Sequence, residues 1–344
     1  VSHSTVPRSR TEADTTARTA KASGGATGTR KAPHAGRLSL RIRLRRDRVL
    51  LLMTLPAVVL VLLFNYIPIL GNVVAFQDYD PYISDNGVVS ILHSPWVGLE
   101  NFRAIFADSA FWNAVQNTLV LFFLQLVLYF PIPILLALLI NSVVRPRVRA
   151  VAQAVLYLPH FFSWVLVIAV FQQLLGGAGL LSQLLRQHGY DGLDIMTDPT
   201  TFKFLVTAQS VWKDAGWGII VFLAALASVS RDLYEAAAMD GAGRWRRIWH
   251  VTLPALRPVI ALLLVLRVGD ALTVGFEQIL LQRDGVGPGA AEVLDTFVWW
   301  NGVRNQDFGY AAAAGLIKGV VSLGLVLAAN KVAHLMGEQG VYRK

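Results

Sequence analysis

Six stretches of the 344-residue chain, 49–76, 113–141, 151–175, 202–228, 256–281 and 308–335, each run for roughly 25 residues or more with few ionised side chains. A helix needs about 20 apolar residues to cross the hydrocarbon layer of a bilayer, where every backbone N–H and C=O must find its partner inside the segment. Runs of this length and number predict an all-α fold, a polytopic membrane protein with six transmembrane helices. The first run exceeds the ~7–15 residue core of a signal peptide and shows no small-residue cleavage site, so it is expected to stay as a span. Composition agrees: 54% of residues are hydrophobic and 15% charged. Lipid or partner protein must cover that apolar excess.

A net charge of +9 would suggest a nucleic-acid partner if it were spread along the chain. Residues 1–48 instead hold 12 Lys/Arg against 3 Asp/Glu, and the rest of the chain holds 19 of each. That distribution argues against a nucleic-acid-binding domain. Residues 1–48 read as a disordered basic cytoplasmic tail that ends in a membrane-surface run with Arg41, Arg43, Arg45 and Arg46. The transmembrane domain occupies 49–344. Outside the spans, 23 Lys/Arg fall on the side of the tail and of segment 231–257, and 5 on the other side. Because basic loops stay in the cytoplasm, both termini are expected there, with the chain crossing the cell membrane several times.

Catalytic chemistry finds little to stand on. With no cysteine there can be no disulfide, thiolate metal site or thiol nucleophile. The seven histidines show no paired metal-ligand spacing, and no Gly-x-x-x-x-Gly-Lys-Ser/Thr loop is present to cradle phosphates. No catalytic residue, metal or bound cofactor is expected, and the chain is not expected to be an enzyme.

The most specific pattern lies in the cytoplasmic loop 230–255. Residues 231–240 are Ala-rich and helix-prone, Gly241 and Gly243 permit a sharp turn, and a second short helix from 244 to 251 is expected to end at Pro254. Glu235, Ala236, Ala237, Gly241, Val251, Leu253 and Pro254 resemble, at matching spacing, the Glu-Ala-Ala, Gly, Ile-x-Leu-Pro signature of permease subunits of ATP-binding-cassette importers. Val251 stands where the signature has Ile. Segments 75–81, 94–102, 157–164 and 275–278, with the pair Asp295 and Thr296, look like the carbohydrate-uptake branch of that class, in particular the LplB-like permeases for oligosaccharides and polysaccharide fragments. The resemblance runs from about residue 48 to the end and does not cover the basic tail.

The resemblance implies a permease of the type I importer kind, working by alternating access, whose loop is a coupling helix docked on an ATPase. It implies a second permease subunit in a heterodimer, two cytoplasmic ATP-binding subunits that use the ATP, an extracellular solute-binding protein and a carbohydrate substrate. Membrane lipid is the remaining partner, and nucleic acid is none. The alternative is a secondary transporter or channel independent of ATP, against which the coupling loop speaks.

Charges inside the spans are costly and usually face the bundle interior or a water-filled path. Arg267 and Asp270 are three residues apart and can pair on one helix face. Lys213 with Asp214, and Lys318, are suited either to line a path or to snorkel. If the fifth span is a continuous helix, Glu277 and Gln278 lie about 15 Å above Arg267 in the outer half of the membrane. Phe276, Trp299 and Trp300 fall near that level and offer aromatic faces, so these five residues are the candidate substrate path. An interfacial aromatic belt is the competing reading.

Overall fold

The computed structural model describes residues 48–335. The expected disordered tail, 1–48, lies outside the described residues except for Arg48, as do residues 336–344. Among the described residues the fold is all-helical, and the sole β pairing is one antiparallel bridge between Gln77 and Trp96. Six helical runs are long and apolar enough to cross a membrane: Arg48–Phe76, Ser109–Asn141, Trp164–Gln187, Phe202–Ala227, Arg244–Gly269 and Phe308–Leu335.

By its own contacts the chain divides into residues 1–62 and 63–344. The described part of the first unit is α1 (Arg48–Val61), apolar except for Arg48 and Thr54. The Thr54 hydroxyl donates to the Leu51 carbonyl at 3.0 Å, which satisfies it within its own turn.

In the second unit α2 (Ser109–Asn141) starts where Asp108 accepts a hydrogen bond from the Ala110 amide. It is followed by α3 (Pro146–Tyr157), α4 (Trp164–Leu175) and the long α5 (Phe202–Ala227). Ahead of α5, the exposed Asp198 accepts bonds from the Thr200 hydroxyl and amide and from the Thr201 hydroxyl, which hold its carboxyl down to about 2. Two surface turns then lead through α6 (Arg231–Met239) into α7 (Arg244–Gly269). The short α8 (Phe276–Leu280) and α9 (Leu294–Trp299) precede the last span, α10 (Phe308–Leu335).

The apolar core of this unit consists of three clusters. Ala137, Ile140, Ile219, Phe222, Leu226 and Leu256 join α2, α5 and α7 at one end. Leu121, Phe122, Phe202, Val206, Val274, Ile279 and Val293 form a second cluster, which reaches the start of α5 at Phe202. Phe111, Leu294, Phe297, Ala313 and Ala314 close the other end. Polar contacts sort the loops in the same way. At the end that carries Arg145, Arg147 and Arg149, here the basic end, Arg244 donates to the Ser142 carbonyl at 3.1 Å. At the far end Asn117 donates to the Glu292 carbonyl at 2.9 Å, and Tyr310 donates to Asp108 at 2.7 Å. The loops expected on opposite faces therefore gather at opposite ends.

Three spans share one backbone device. A π-helical turn occupies Leu62–Tyr66, Gln125–Tyr129 and Ile248–Thr252, and in each case a proline, Pro68, Pro131 or Pro254, sits two residues past its end. Proline has no N–H to give and its ring strikes the carbonyl four residues back. Widening the turn by one residue moves that carbonyl away, and the amides of Phe130 and Leu253 accordingly reach back five residues, to Gln125 and Ile248.

Two expected spans differ from the observed ones. Stretch 151–175 is not one helix: it is interrupted by a 3-10 turn at Leu158–Phe161 and extended backbone at Phe162, and α4 restarts with the Ser163 hydroxyl capping the Leu166 amide. Stretch 256–281 stops being helical at Gly269. The Thr273 amide turns back to the Asp270 carbonyl, and Gly275 takes the left-handed conformation, φ +59°, before α8 begins.

Candidate functional site

The signature loop projects from the basic end. Ser230 caps α6 by accepting from the Asp232 amide at 3.2 Å, and the helix closes on Gly241 at φ +72°. The Gly241 amide bonds to the Ala238 carbonyl and the Ala242 amide to the Ala237 carbonyl, the paired bonds of a Schellman ending, which requires that positive φ. The small residues of the signature thus build the ending together, Ala237 by accepting the closing bond and Gly241 by making the turn. The second short helix expected to end at Pro254 does not end there, because the π-turn at Ile248–Thr252 absorbs the proline and α7 runs from Arg244 to Gly269. Tyr234 and Thr252 share a hydrogen bond of 3.1 Å that ties α6 to the root of this span, and Val251, Leu253 and Pro254 are part-buried there. Glu235 and Ala236 are exposed, as are the apolar Leu233, Met239, Trp245 and Trp249. Leu233 and Met239 leave uncovered apolar surface on the projecting element, and Trp245 and Trp249 do so on the first turns of α7.

A second site lies inside the bundle and was only partly legible in the sequence. Counted at 1.5 Å per residue from the basic ends of α2 and α5, and from Leu253 in α7, Tyr129, Asp214 and Arg267 each stand about 20 Å in. His160, in the break between α3 and α4, reaches Asp214 with its Nδ1 at 2.9 Å, and its carbonyl accepts from Lys213 Nζ at 2.7 Å. Lys213 is buried, stands 3.8 Å from the Asp214 carboxylate and lies over the Trp164 ring. Trp217 stacks on the His160 ring with centroids 4.6 Å apart and is half exposed. Arg267 does not pair with Asp270. The helix ends between them, and the guanidinium instead donates to Gln125 and lies 5.9 Å over Tyr129, which is within electrostatic reach of both Arg267 and Asp214.

Backbone irregularity converges on the same depth. The π-turn of α2, the break before α4 and the end of α7 all face this cluster, and non-helical backbone at membrane depth is tolerated only inside protein or beside a water-filled cavity. Broken helices at the midplane are where transporters hold their substrates. The cluster is therefore able to pair charge, donate and accept hydrogen bonds, and offer an aromatic face. The in-span Lys213, Asp214 and Arg267 signalled it in the sequence, whereas Gln125, Tyr129, His160 and Trp217 carry no such mark alone.

The five residues expected to line the path do not form one surface. Gln278 is fully buried, donating to the Val206 carbonyl at 2.9 Å and to Gln209 at 2.7 Å, so it bolts α8 to α5. Trp300 lies over the Arg283 guanidinium at 3.7 Å, and that cation is bonded to the buried Glu292. Glu277 is exposed, and its expected height fails because no helix connects it to Arg267. Phe276 and Trp299 do share a groove of about 720 Å³ with Tyr79 and Asp295, and Asp295 is bonded to Lys318.

A helical bundle of apolar spans, with a polar cluster at mid-depth and an apolar-tipped element projecting from one end, defines an integral-membrane transport component. The pattern of one such family, the binding-protein-dependent transport system inner membrane component, matches residues 129–334, and the chain belongs to that family. It is 42% identical over 307 residues to the polygalacturonan/rhamnogalacturonan transport system permease protein YteP of Bacillus subtilis (strain 168), covering 89% of this chain and 94% of that one. Protein LplB of the same organism is 38% identical over 300 residues, with 87% and 92% covered. Among solved structures, a chain of a bacterial ABC transporter that imports the acidic polysaccharide alginate superposes with a TM-score of 0.78 at 37% identity, over 86% of this chain and 98% of that one. A chain of the bacterial alginate transporter in complex with an alginate pentasaccharide-bound periplasmic protein gives 0.79 at 36%, over 88% and 99%.

Proposed function

We propose that this chain is the permease subunit of an ATP-driven importer of carbohydrates, taking oligosaccharides or polysaccharide fragments through the membrane by alternating access. The single observation that carries the reading is that one helix, α7, joins the projecting element at Arg244 to the mid-membrane cluster at Arg267. A displacement at its root is a displacement at the cluster. The exposed Glu235, Ala236, Leu233 and Met239 are the face offered to a cytoplasmic ATPase subunit, two of which use the ATP. A second, non-identical permease completes the path, and an extracellular binding protein delivers the sugar. The basic end and both termini are cytoplasmic, in keeping with the placement of Lys and Arg.

Sugar entering from the far end meets the Phe276 and Trp299 groove and then the mid-depth cluster. The Trp217 face suits a pyranose ring, and His160, Asp214 and Tyr129 suit its hydroxyls. A secondary transporter or channel would have no use for a capped, apolar-tipped element outside the membrane.

The test uses the complete importer in proteoliposomes. Gly241→Asn, which tolerates positive φ, should retain most ATP-dependent uptake of a labelled oligosaccharide. Gly241→Val costs roughly 1–2 kcal/mol of backbone strain at the Schellman turn and should lose most uptake and substrate-stimulated ATP hydrolysis while still inserting. Uptake that persists without ATP, or a Val variant as active as wild type, sinks the reading.

A further inference from the structure

Resting on the reading above, we propose that Arg267 selects sugars that carry a carboxylate, uronic-acid oligosaccharides, over neutral ones. Three cations sit deep in the spans of the second unit. Lys213 has the Asp214 carboxylate at 3.8 Å, and Lys318 is bonded to Asp295. Arg267 touches only a neutral amide, Gln125, and the face of Tyr129, with the Asp270 carboxylate within electrostatic reach but not in contact. Its Nε is buried and, among the described residues, without a hydrogen-bond partner. Asp270, the next carboxylate along the chain, is exposed at the end of the helix; it lies within electrostatic reach of Arg267 but makes no ion pair with it.

An amide accepts a hydrogen bond but cancels no charge, and the exposed Asp270 acts only from a distance through solvent, so the Arg267 guanidinium has no carboxylate in contact where hydration is poor. Such a charge is costly to hold at this depth and is retained where a ligand supplies the counter-charge. Arginine presents five N–H donors in a planar fork that fits a carboxylate with two parallel bonds. The neighbouring negative charge does not oppose this, because Asp214 is already engaged by His160 and Lys213. A uronate repeats one carboxylate per ring, and the half-exposed Trp217 stands in the same cluster to take the ring face. The solved transporter described as importing an acidic polysaccharide is a relative in keeping with this chemistry.

The experiment compares ATP-driven uptake of trigalacturonate and of its fully methyl-esterified form by the complete importer in proteoliposomes, with the binding protein held constant. Wild type should prefer the acid. Arg267→Gln should lower the ratio of acidic to neutral uptake about tenfold, and Arg267→Lys, which keeps the charge and loses the fork, should fall between. Assembly is followed by thermal unfolding of the purified complex. If Arg267→Gln fails to assemble, Arg267→Lys decides, with a loss of about threefold or more in the ratio expected. An unchanged ratio overturns the proposal and leaves Arg267 a strut between α7 and α2. Wild type that imports only the neutral ester overturns it too, with carbohydrate import standing. If neither form nor any other saccharide is imported, this proposal and the reading beneath it fail together.

Discussion

A Cβ placed on Gly216 would lie 1.8 Å from the carbonyl oxygen of Leu156, whereas one placed on Gly241 would meet nothing within 4 Å. The first glycine is required by space and the second by its backbone angle. Gly216 lets α5 touch the backbone of α3 just below the break, and so holds His160 within reach of Lys213 and Asp214. Gly216→Ala must push a helix aside, since a backbone carbonyl cannot rotate away as a side chain would. Overpacking of this kind typically costs about 1–3 kcal/mol. The variant should show a lower melting temperature and reduced uptake together; a melting temperature equal to wild type would show that α3 gives way freely. Neither requirement is visible in composition. Gly241 stands out in the sequence because it belongs to a spaced signature, and Gly216 is one small residue in an apolar run.

At the scale of the element, the π-turns explain how proline sits inside helices that still cross the membrane. Pro254 matters most, because its π-turn sets the angle at which the α6 element leaves α7. Replacing it by Ala removes the ring clash and restores an N–H, so the ladder can close with one residue fewer per turn. One residue of slip is about 100° of rotation around a helix axis. Pro254→Ala should therefore be at least as heat-stable as wild type, since alanine is about 3 kcal/mol better than proline in a helix interior. It should nonetheless lose coupling between ATP hydrolysis and uptake. Retained coupling would show that the turn persists without the ring. Apolar length made the spans legible, yet hydropathy reports how residues partition and not whether the backbone ladder continues. The Leu-Pro-His-Phe-Phe run therefore reads as span in the sequence, and Ala271, Leu272 and Val274 mask the end of the fifth helix at Gly269.

At the scale of the whole molecule, the two sets of loops make a topological statement that labelling can check. Native cysteine is absent, so single replacements report cleanly. Val88 and Met239 are 65% and 89% exposed, which makes both accessible to reagent from whichever side they face. In intact cells an impermeant maleimide should label Val88→Cys, and Met239→Cys should react only after permeabilisation. Labelling of Met239→Cys from outside would invert the assignment. The span count and the turn at Gly241 are legible in the sequence, because each depends on local residues. The mid-depth cluster is legible only through its in-span charges, Lys213, Asp214 and Arg267, because it assembles from α2, α5, α7 and the break before α4. Gln278 was misread for the same reason: its partners Val206 and Gln209 lie far away in sequence, and an amide on an apolar helix looks the same whether it faces a solute or another glutamine.

The unbroken α7 has a consequence for anyone who wishes to recombine such proteins. On the function proposed above, docking geometry and solute preference share one rod, about 34 Å from Arg244 to Arg267. A chimera that takes its docking tip from one parent and its solute preference from another must be spliced somewhere along that rod. A splice in the regular helix beyond Pro254 transfers any mismatch in register straight to Arg267. The π-turn at Ile248–Thr252 is the natural seam, because a spare residue is already accommodated there and both parents' helices can keep their own phase on either side of it.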